Sequence, residues 1–244
     1  MRLSVVIPIY NEQELLPRVL DAVRAMAASQ PWELELVLVD DCSRDATPRI
    51  LDAERDRPGV IALRHGVNRG KGAAIRTGLR EATGDVIIVQ DADMEYDPND
   101  IPEIVRPIFE GRSRVCYGSR FMGRVTGMRL PNRVANWLLA WMVSLLYGQR
   151  VTDEATAYKA FHRDVLRRIS LTCERFEFCP EVTAKVLRLG ERIHEVPVTF
   201  FARTFEEGKK IGWRDFFVAV RTLLRCRVGR IDAGERAIAD RPSP

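Results

Sequence analysis

Short apolar runs alternate with stretches of helical spacing along most of this chain. Leu3 to Ile9 (LSVVIPI) is β-branched and apolar and ends at Tyr10 and Asn11. The spacing of Leu15, Val19, Leu20 and Val23 then predicts a helix over Glu14 to Ala28. Leu34 to Val39 reads as a second buried strand, closed by Asp40 and Asp41. Thr47 followed by Pro48 predicts a helix start with Thr47 as its cap. Val60 to Leu63 is a short third strand and Gly72 to Ala82 a helix, and Asp85 to Val89 is a fourth strand leading into Gln90 to Pro98 (QDADMEYDP). Strands and helices alternating at these lengths predict an α/β fold with a parallel sheet and right-handed crossovers. Ligands of such sheets lie beyond the carboxyl ends of the strands. Tyr10 to Glu12, Asp40 to Asp41 and Asp91 to Glu95 are therefore expected to share one crevice.

The pattern changes after Pro98. Ile101 to Phe109 reads as a helix and Val115 to Tyr117 as a short strand, followed by Gly118, Ser119 and Arg120. Val134 to Tyr147 is apolar apart from Asn136 and Ser144, but shorter than the roughly 20 residues of a membrane span, so it is a core helix or an interfacial one. Trp137 and Trp141, four apart, share a face in either case. A loop with Asp153 and Glu154 follows, then an amphipathic helix over Pro180 to Leu189 and an edge strand over Ile193 to Phe201. Next come a basic loop at Gly208 to Gly212 (GKKIG) and a closing helix from Trp213 to Cys226. The expectation is one domain over residues 1–226 and a flexible tail over 227–244.

Composition narrows the function classes. A net charge of +4 over 244 residues is too small to argue for nucleic acid. The five cysteines (Cys42, Cys116, Cys173, Cys179 and Cys226) are odd in number and lack CxxC spacing, which fits reduced structural thiols. No charged leader precedes the first strand, so no secretory signal and a cytoplasmic location are expected. Asp91, Asp93 and Glu95 converge on one point if their segment is extended, and three carboxylates do not gather cheaply without a cation. That segment is a divalent metal site or an acidic, solvated loop. The GxG within Asn68 to Gly72 does not follow the first strand, which argues against a dinucleotide fold. His65, His162 and His194 read as structural.

Several motifs together carry a resemblance: VIPIYNE, VDDCSRDAT, NRGKGAA, QDADMEYDP, GSRF, VTDEATAYKAF, FEFCPE, and EVPVTFFAR followed by EGKK. They span residue 5 to about residue 212 and resemble the inverting family 2 glycosyltransferases of the GT-A fold, in particular the polyprenyl-phosphate (dolichol-phosphate) mannose and glucose synthases. The resemblance implies a mostly parallel, Rossmann-like central sheet flanked by helices, with Val134 to Tyr147 as an amphipathic interface helix. It places Pro8, Tyr10, Asn11, Glu12 and Asp40 or Asp41 around the base and ribose of a nucleotide-sugar, with Gly72 and Ala92 also on the donor. Asp91 and Asp93 would hold Mg²⁺ or Mn²⁺ against the diphosphate, with Glu95 as a third ligand. Arg120 and Arg133, assisted by Arg129, would grip the acceptor phosphate, as the planar fork of arginine suits phosphate oxygens. Trp137 stands where the family often has a small hydroxyl residue. Asp153 would lie near the sugar, and Arg203, Lys209 and Lys210 in a basic loop over the diphosphate, with EEGKK departing from the commoner RxxGxSK.

The implied reaction is metal-dependent transfer of a sugar from GDP-mannose or a UDP-sugar to a polyprenyl phosphate, with inversion, by an enzyme lying peripherally on the cytoplasmic face of a membrane through residues 134–147. Two alternatives stand beside it. One is a glycosyltransferase with a hydroxyl acceptor, needing Asp153 or Glu154 as general base. The other is a nucleotide-sugar-binding module without turnover.

Overall fold

The structure is a computed structural model that describes residues 1–202 and 213–229. The chain runs β1 (Arg2–Ile9), α1 (Leu16–Ala27), β2 (Glu33–Asp40), α2 (Thr47–Glu54), β3 (Val60–Arg64), α3 (Lys71–Glu81), β4 (Val86–Val89) and α4 (Ile101–Phe109). It continues through β5 (Val115–Thr126), α5 (Leu130–Tyr147), β6 (Lys159–His162), α6 (Arg163–Arg167), α7 (Phe178–Arg188), β7 (Ile193–Phe201) and α8 (Trp213–Val228). The strands form one sheet in the order β3-β2-β1-β4-β6-β5-β7. β1 pairs in parallel with β2 and β4, and β2 with β3. β6 runs antiparallel to β4 and β5, while β5 and the edge strand β7 are parallel.

Period-two alternation within β1 decides the layering. Leu3, Val5, Ile7 and Ile9 pack on one face with Leu16, Val19, Leu20 and Val23 of α1 and with Ile101, Ile104 and Val105 of α4. Val6 faces the other side, with Val37, Val39, Ala74 and Ile87. Beyond β4, Val115, Tyr117 and Phe161 join Val143 of α5, Val182 and Val186 of α7 and Leu223 of α8 in a second core. The sheet is thus covered on both faces, as a parallel sheet requires.

Four local expectations need correction. α2 has Ala46 rather than Thr47 as its N-cap; the Thr47 hydroxyl accepts instead from the Glu12 N–H at 3.1 Å. β5 continues nine residues past Tyr117 because its outer half hydrogen-bonds to β7 as a mostly exposed ribbon, which carries little apolar signal. β6 went unpredicted because its four residues begin with Lys159, fully buried with its Nζ donating to the Glu154 carbonyl at 2.7 Å and lying 3.7 Å from the Tyr117 ring centroid. α8 extends to Val228, two residues past the Cys226 expected as its end.

Candidate functional site

Backbone strain marks one edge of the sheet. Asn11 (φ 55°), Cys42 (φ 64°) and Met94 (φ 57°) are the non-glycine residues with positive φ among the described residues. They follow β1, β2 and β4 by two, two and five residues, so all three lie at the carboxyl ends of adjacent parallel strands. Such conformations cost about 1–3 kcal/mol each and persist where surrounding structure fixes them, often at ligand sites. The loops that contain them are stitched together: Asn11 N–H donates to Ser43 Oγ (2.9 Å), Arg44 N–H to Asn11 Oδ1 (2.8 Å) and Ala46 N–H to Gln13 Oε1 (2.8 Å). Pro8 lies within β1, and Tyr10 and Glu12 sit half-buried on this rim.

Asp40, the last residue of β2, and Asp41 are fully buried and used by the chain itself. Asp41 accepts from the backbone N–H groups of Arg69 (2.8 Å) and Gly70 (2.7 Å), and its Oδ1 lies 2.7 Å from His65 Nδ1. His65 Nε2 in turn lies 3.0 Å from Thr77 Oγ1. Asp40 Oδ1 accepts from Ser43 N–H (2.9 Å) and its Oδ2 pairs with Arg64 Nε (3.1 Å). Both carboxylates hold the crevice loops in place, and Asp40 Oδ2, paired with Arg64, is left buried without a hydrogen bond.

The acidic segment after β4 turns rather than extending, with Met94 left-handed inside it. Residues i, i+2 and i+4 share a face only in extended chain, and among the described residues no three His, Cys, Asp or Glu side chains gather as a metal cage. The expected convergence of Asp91, Asp93 and Glu95 is therefore corrected. Asp91 and Asp93, with Ala92 between them, remain as an oxygen-donor pair at the end of β4; Asp93 also accepts from Glu95 N–H at 3.1 Å. Mg²⁺ commonly takes one or two carboxylates and completes its shell with substrate phosphates and water, so this donor set fits such an ion.

Lys71 is the residue that spacing did not single out. Its Nζ lies 2.6 Å from Asp91 Oδ1. Burial works against its ammonium, but the charges of Asp91 and Asp93 and the hydrogen bond that Lys71 donates to Asp91 outweigh that and hold Lys71 protonated. The only sequence signal was a lysine between the glycines of NRGKG, which is weak alone. Tyr158 pins the acidic loop at both ends, donating to Gln90 Oε1 and to the Asp97 carbonyl (2.9 Å). Tyr96 packs between Tyr158 and Phe200, with ring centroids 4.6 and 4.9 Å away.

A bulge sets the next cluster. Between the pairs Ser119–Pro197 and Arg124–Thr199, β5 has four residues opposite the single Val198 of β7. The first of the four is Arg120, only 6% exposed. Its Nε and Nη2 donate to Asp153 Oδ2 and Oδ1, both at 2.7 Å, and its backbone N–H donates to Oδ2 at 3.0 Å. Asp153 is aligned by Glu195, which accepts from the N–H groups of Thr152 and Asp153 and from the Thr152 hydroxyl. Asp153 is thus the partner that holds Arg120, through Nε and Nη2 of its guanidinium. Glu154 is buried with no hydrogen-bond partner on either carboxylate oxygen, and burial pushes its pKa up to about 7.

Arg129 and Arg133 stand elsewhere, exposed at the start of α5. α5 buries Leu139, Ala140 and Val143 and exposes Leu130, Val134, Trp137, Leu138, Trp141 and Leu145. α8 lies beside it, with Tyr147 Oη donating to the Leu223 carbonyl at 2.7 Å, and exposes Phe217, Val218, Leu224 and Val228. Large apolar patches on a monomer surface mark interaction sites. Among the described residues no helix is long and apolar enough to cross a membrane. Arg203, Lys209 and Lys210 lie outside the described residues. Gly72 sits in the first turn of α3 beside Lys71.

The undecaprenyl-phosphate mannosyltransferase of Micrococcus luteus is 31% identical over 224 residues, which cover 87% of this chain and 88% of that protein. The undecaprenyl-phosphate 4-deoxy-4-formamido-L-arabinose transferase of Serratia proteamaculans is 30% identical over 217 residues, 85% of this chain; the match spans 62% of that relative's length. Glucosyl-3-phosphoglycerate synthase from Mycobacterium tuberculosis, solved with Mn²⁺, uridine diphosphate and phosphoglyceric acid, superposes with a TM-score of 0.71 at 22% identity, covering 93% of this chain and 78% of that one. The likeness shows a shared GT-A fold. The family description Glycosyl transferase family 2 matches residues 4–171, a stretch that takes in the strained crevice, the acidic loop and the Arg120–Asp153 pair, and the chain belongs to that family.

Proposed function

We propose that this chain transfers a sugar from a nucleotide-activated donor to a polyprenyl phosphate, with inversion at the anomeric carbon. The observation that carries the reading is the presence in one chain of two features, the Asp91–Lys71 pair beyond the strand ends and exposed arginines at the start of an apolar helix face. A lipid phosphate acceptor needs that combination of a cationic grip and an apolar surface. The named relatives from Micrococcus and Serratia support it, since both are undecaprenyl-phosphate sugar transferases by description.

Each residue has a task in this reading. Asp91 and Asp93 hold a divalent cation, Mg²⁺ or Mn²⁺, which when bound neutralises charge on the departing nucleoside diphosphate. Lys71 places a fixed positive charge beside the same group. Tyr10, Asn11 and Glu12 line the donor end. Arg133 and Arg129 hold the acceptor phosphate, and Asp153 fixes the orientation of Arg120. A phosphate monoester has its second pKa near 6, so at neutral pH the nucleophile is already mostly ionised and needs no strong base. This matters because Asp153 is engaged by Arg120 and Glu154 is fully buried, which counts against a hydroxyl acceptor requiring either as general base. The apolar faces of α5 and α8 lie against a membrane surface, the arginines at its headgroup level.

The test is transfer of radiolabelled sugar from a panel of GDP- and UDP-sugars to polyprenyl phosphate. The expected product extracts into organic solvent and is labile to mild acid. Arg133→Ala should raise the KM for lipid phosphate and leave that for the donor unchanged. An acid-stable product on a hydroxyl acceptor, or no lipid product with any donor, sinks the proposal.

A further inference from the structure

Lys71 is held in place by a segment a hundred residues away in sequence. α3 begins at Lys71 without a side-chain cap, and the N–H of Ala73 in its first turn donates to the Glu174 carbonyl at 3.0 Å. One turn on, Arg76 Nη1 donates to the carbonyls of Thr172 and Cys173, each at 3.3 Å. The glycines flanking Lys71 permit this approach: a Cβ on Gly72 would sit 2.7 Å from the Arg175 carbonyl oxygen, and one on Gly70 would collide with that of Glu174. The glycines of NRGKG therefore serve a backbone contact with residues 172–175.

That segment is fixed by one carboxylate. Glu181, fully buried in the first turn of α7, accepts from Thr172 N–H (3.0 and 3.1 Å), Thr172 Oγ1 (2.8 Å) and Cys173 N–H (2.7 Å), and pairs with Lys185 Nζ at 2.6 Å. Burial alone would raise its pKa, but the hydrogen bonds from Lys185 and Thr172 outweigh that and hold it below the usual carboxylate range. Charge-assisted bonds of this kind are roughly twice as strong as neutral ones. Both oxygens are engaged by the chain, so Glu181 acts through what it holds.

We propose that Glu181 is a positioning residue for Lys71. It fixes residues 172–175, that segment seats the first turn of α3, and the turn delivers the Lys71 ammonium to Asp91 at the donor diphosphate. The inference rests on the donor reading of the Lys71–Asp91 pair given above.

A double-mutant cycle on transfer kinetics tests it. Glu181→Gln should raise the KM for nucleotide-sugar roughly tenfold, the low end for a partner that orients a site residue, with the KM for polyprenyl phosphate unchanged. Lys71→Ala should cost more, and the double variant no more than Lys71→Ala alone, because residues acting through one another are not additive. Losses that multiply, or a rise in both KM values, overturn the proposal. Should Glu181→Gln fail to fold, Gly72→Ala takes its place in the cycle: it leaves Glu181 intact but pushes α3 off the 174–175 backbone, and the same donor-specific, non-additive loss is expected. An unchanged donor KM in Gly72→Ala overturns the proposal equally. Multiplying losses in a chain that does transfer sugar remove this inference alone, whereas a wild-type chain that neither transfers sugar nor binds a nucleoside diphosphate removes the donor reading along with it.

Discussion

Replacing Asp153 with alanine would leave the Arg120 guanidinium buried without its bidentate acceptor. Breaking a buried pair by removing one partner costs about 3–5 kcal/mol, so Asp153→Ala should lower the urea midpoint by the corresponding amount. Arg120→Met added to Asp153→Leu should regain much of it; an unshifted midpoint in Asp153→Ala would refute the account. The neighbouring Glu154 gives a pH signature. Its pKa rises from 4.5 to about 7 through burial, with Lys159 and Arg120 pulling it down and Asp153 pushing it up. The folded state then holds a proton that the unfolded state has released, so the contribution is complete below pH 4.5 and lost as the pH rises through about 7. The melting temperature of Glu154→Gln minus that of the wild type should therefore climb between pH 5 and 8, and a flat difference would count against the assignment. The sequence showed Asp153 and Glu154 only as adjacent acids in a loop. That one would be clamped by Arg120 and the other left without a partner depends on the β5 bulge, for which residues 120–123 carry no signal beyond Gly123.

At the scale of elements, α5 shows where periodicity stops being informative. Its apolar residues suit a core helix as well as an interfacial one, and only the packing shows which side is covered: Leu139 and Val143 pack with residues of α7 and α8 while Trp137 and Trp141 stay 62% and 56% exposed. Trp137→Ser with Trp141→Ser should abolish sedimentation with anionic vesicles. The melting temperature should stay nearly constant, as exposed substitutions away from caps and networks usually move stability by no more than about 0.5 kcal/mol. Retained vesicle binding would point to α8 as the sole contact, and a large loss of stability to a packing role. α4 and β7, by contrast, were legible to the residue, because an amphipathic nine-residue helix and an alternating strand are strong local patterns. β6 was hidden by the cost it bears, a buried lysine satisfied by partners distant in sequence.

On the scale of the whole molecule, the first four strands and their crossovers followed from apolar runs alone; β1, β2 and β4 are buried on both faces and leave an unbroken hydrophobic signature, and the half-buried edge strand β3 still carries a short apolar run. The antiparallel insertion of β6 between β4 and β5 did not, because sheet order is set by long-range pairing. That the clusters after β1, β2 and β4 lie at one end of adjacent parallel strands was legible through topology, and it is at such ends that ligands of parallel sheets gather. The internal wiring of the site was not: the carboxylates of Asp40, Asp41, Glu181 and Glu195 hold loops through bonds that no spacing announces. These holds make the crevice preformed, and a preformed crevice has a thermodynamic consequence. A ligand that binds only the folded chain, at a hundredfold excess over its Kd, adds about 2.7 kcal/mol. For a chain of this size that corresponds to a rise of roughly 5–10 °C in Tm. Mn²⁺ with GDP or UDP should produce such a rise, neither component alone should match it, and Asp93→Asn should remove it. The asparagine keeps an oxygen for the Glu95 N–H, so the Tm without ligand should be unchanged and the loss attributable to the cation. A full rise in Asp93→Asn would show that the nucleotide is held without the acidic pair, and the crevice would need a different account of its charge.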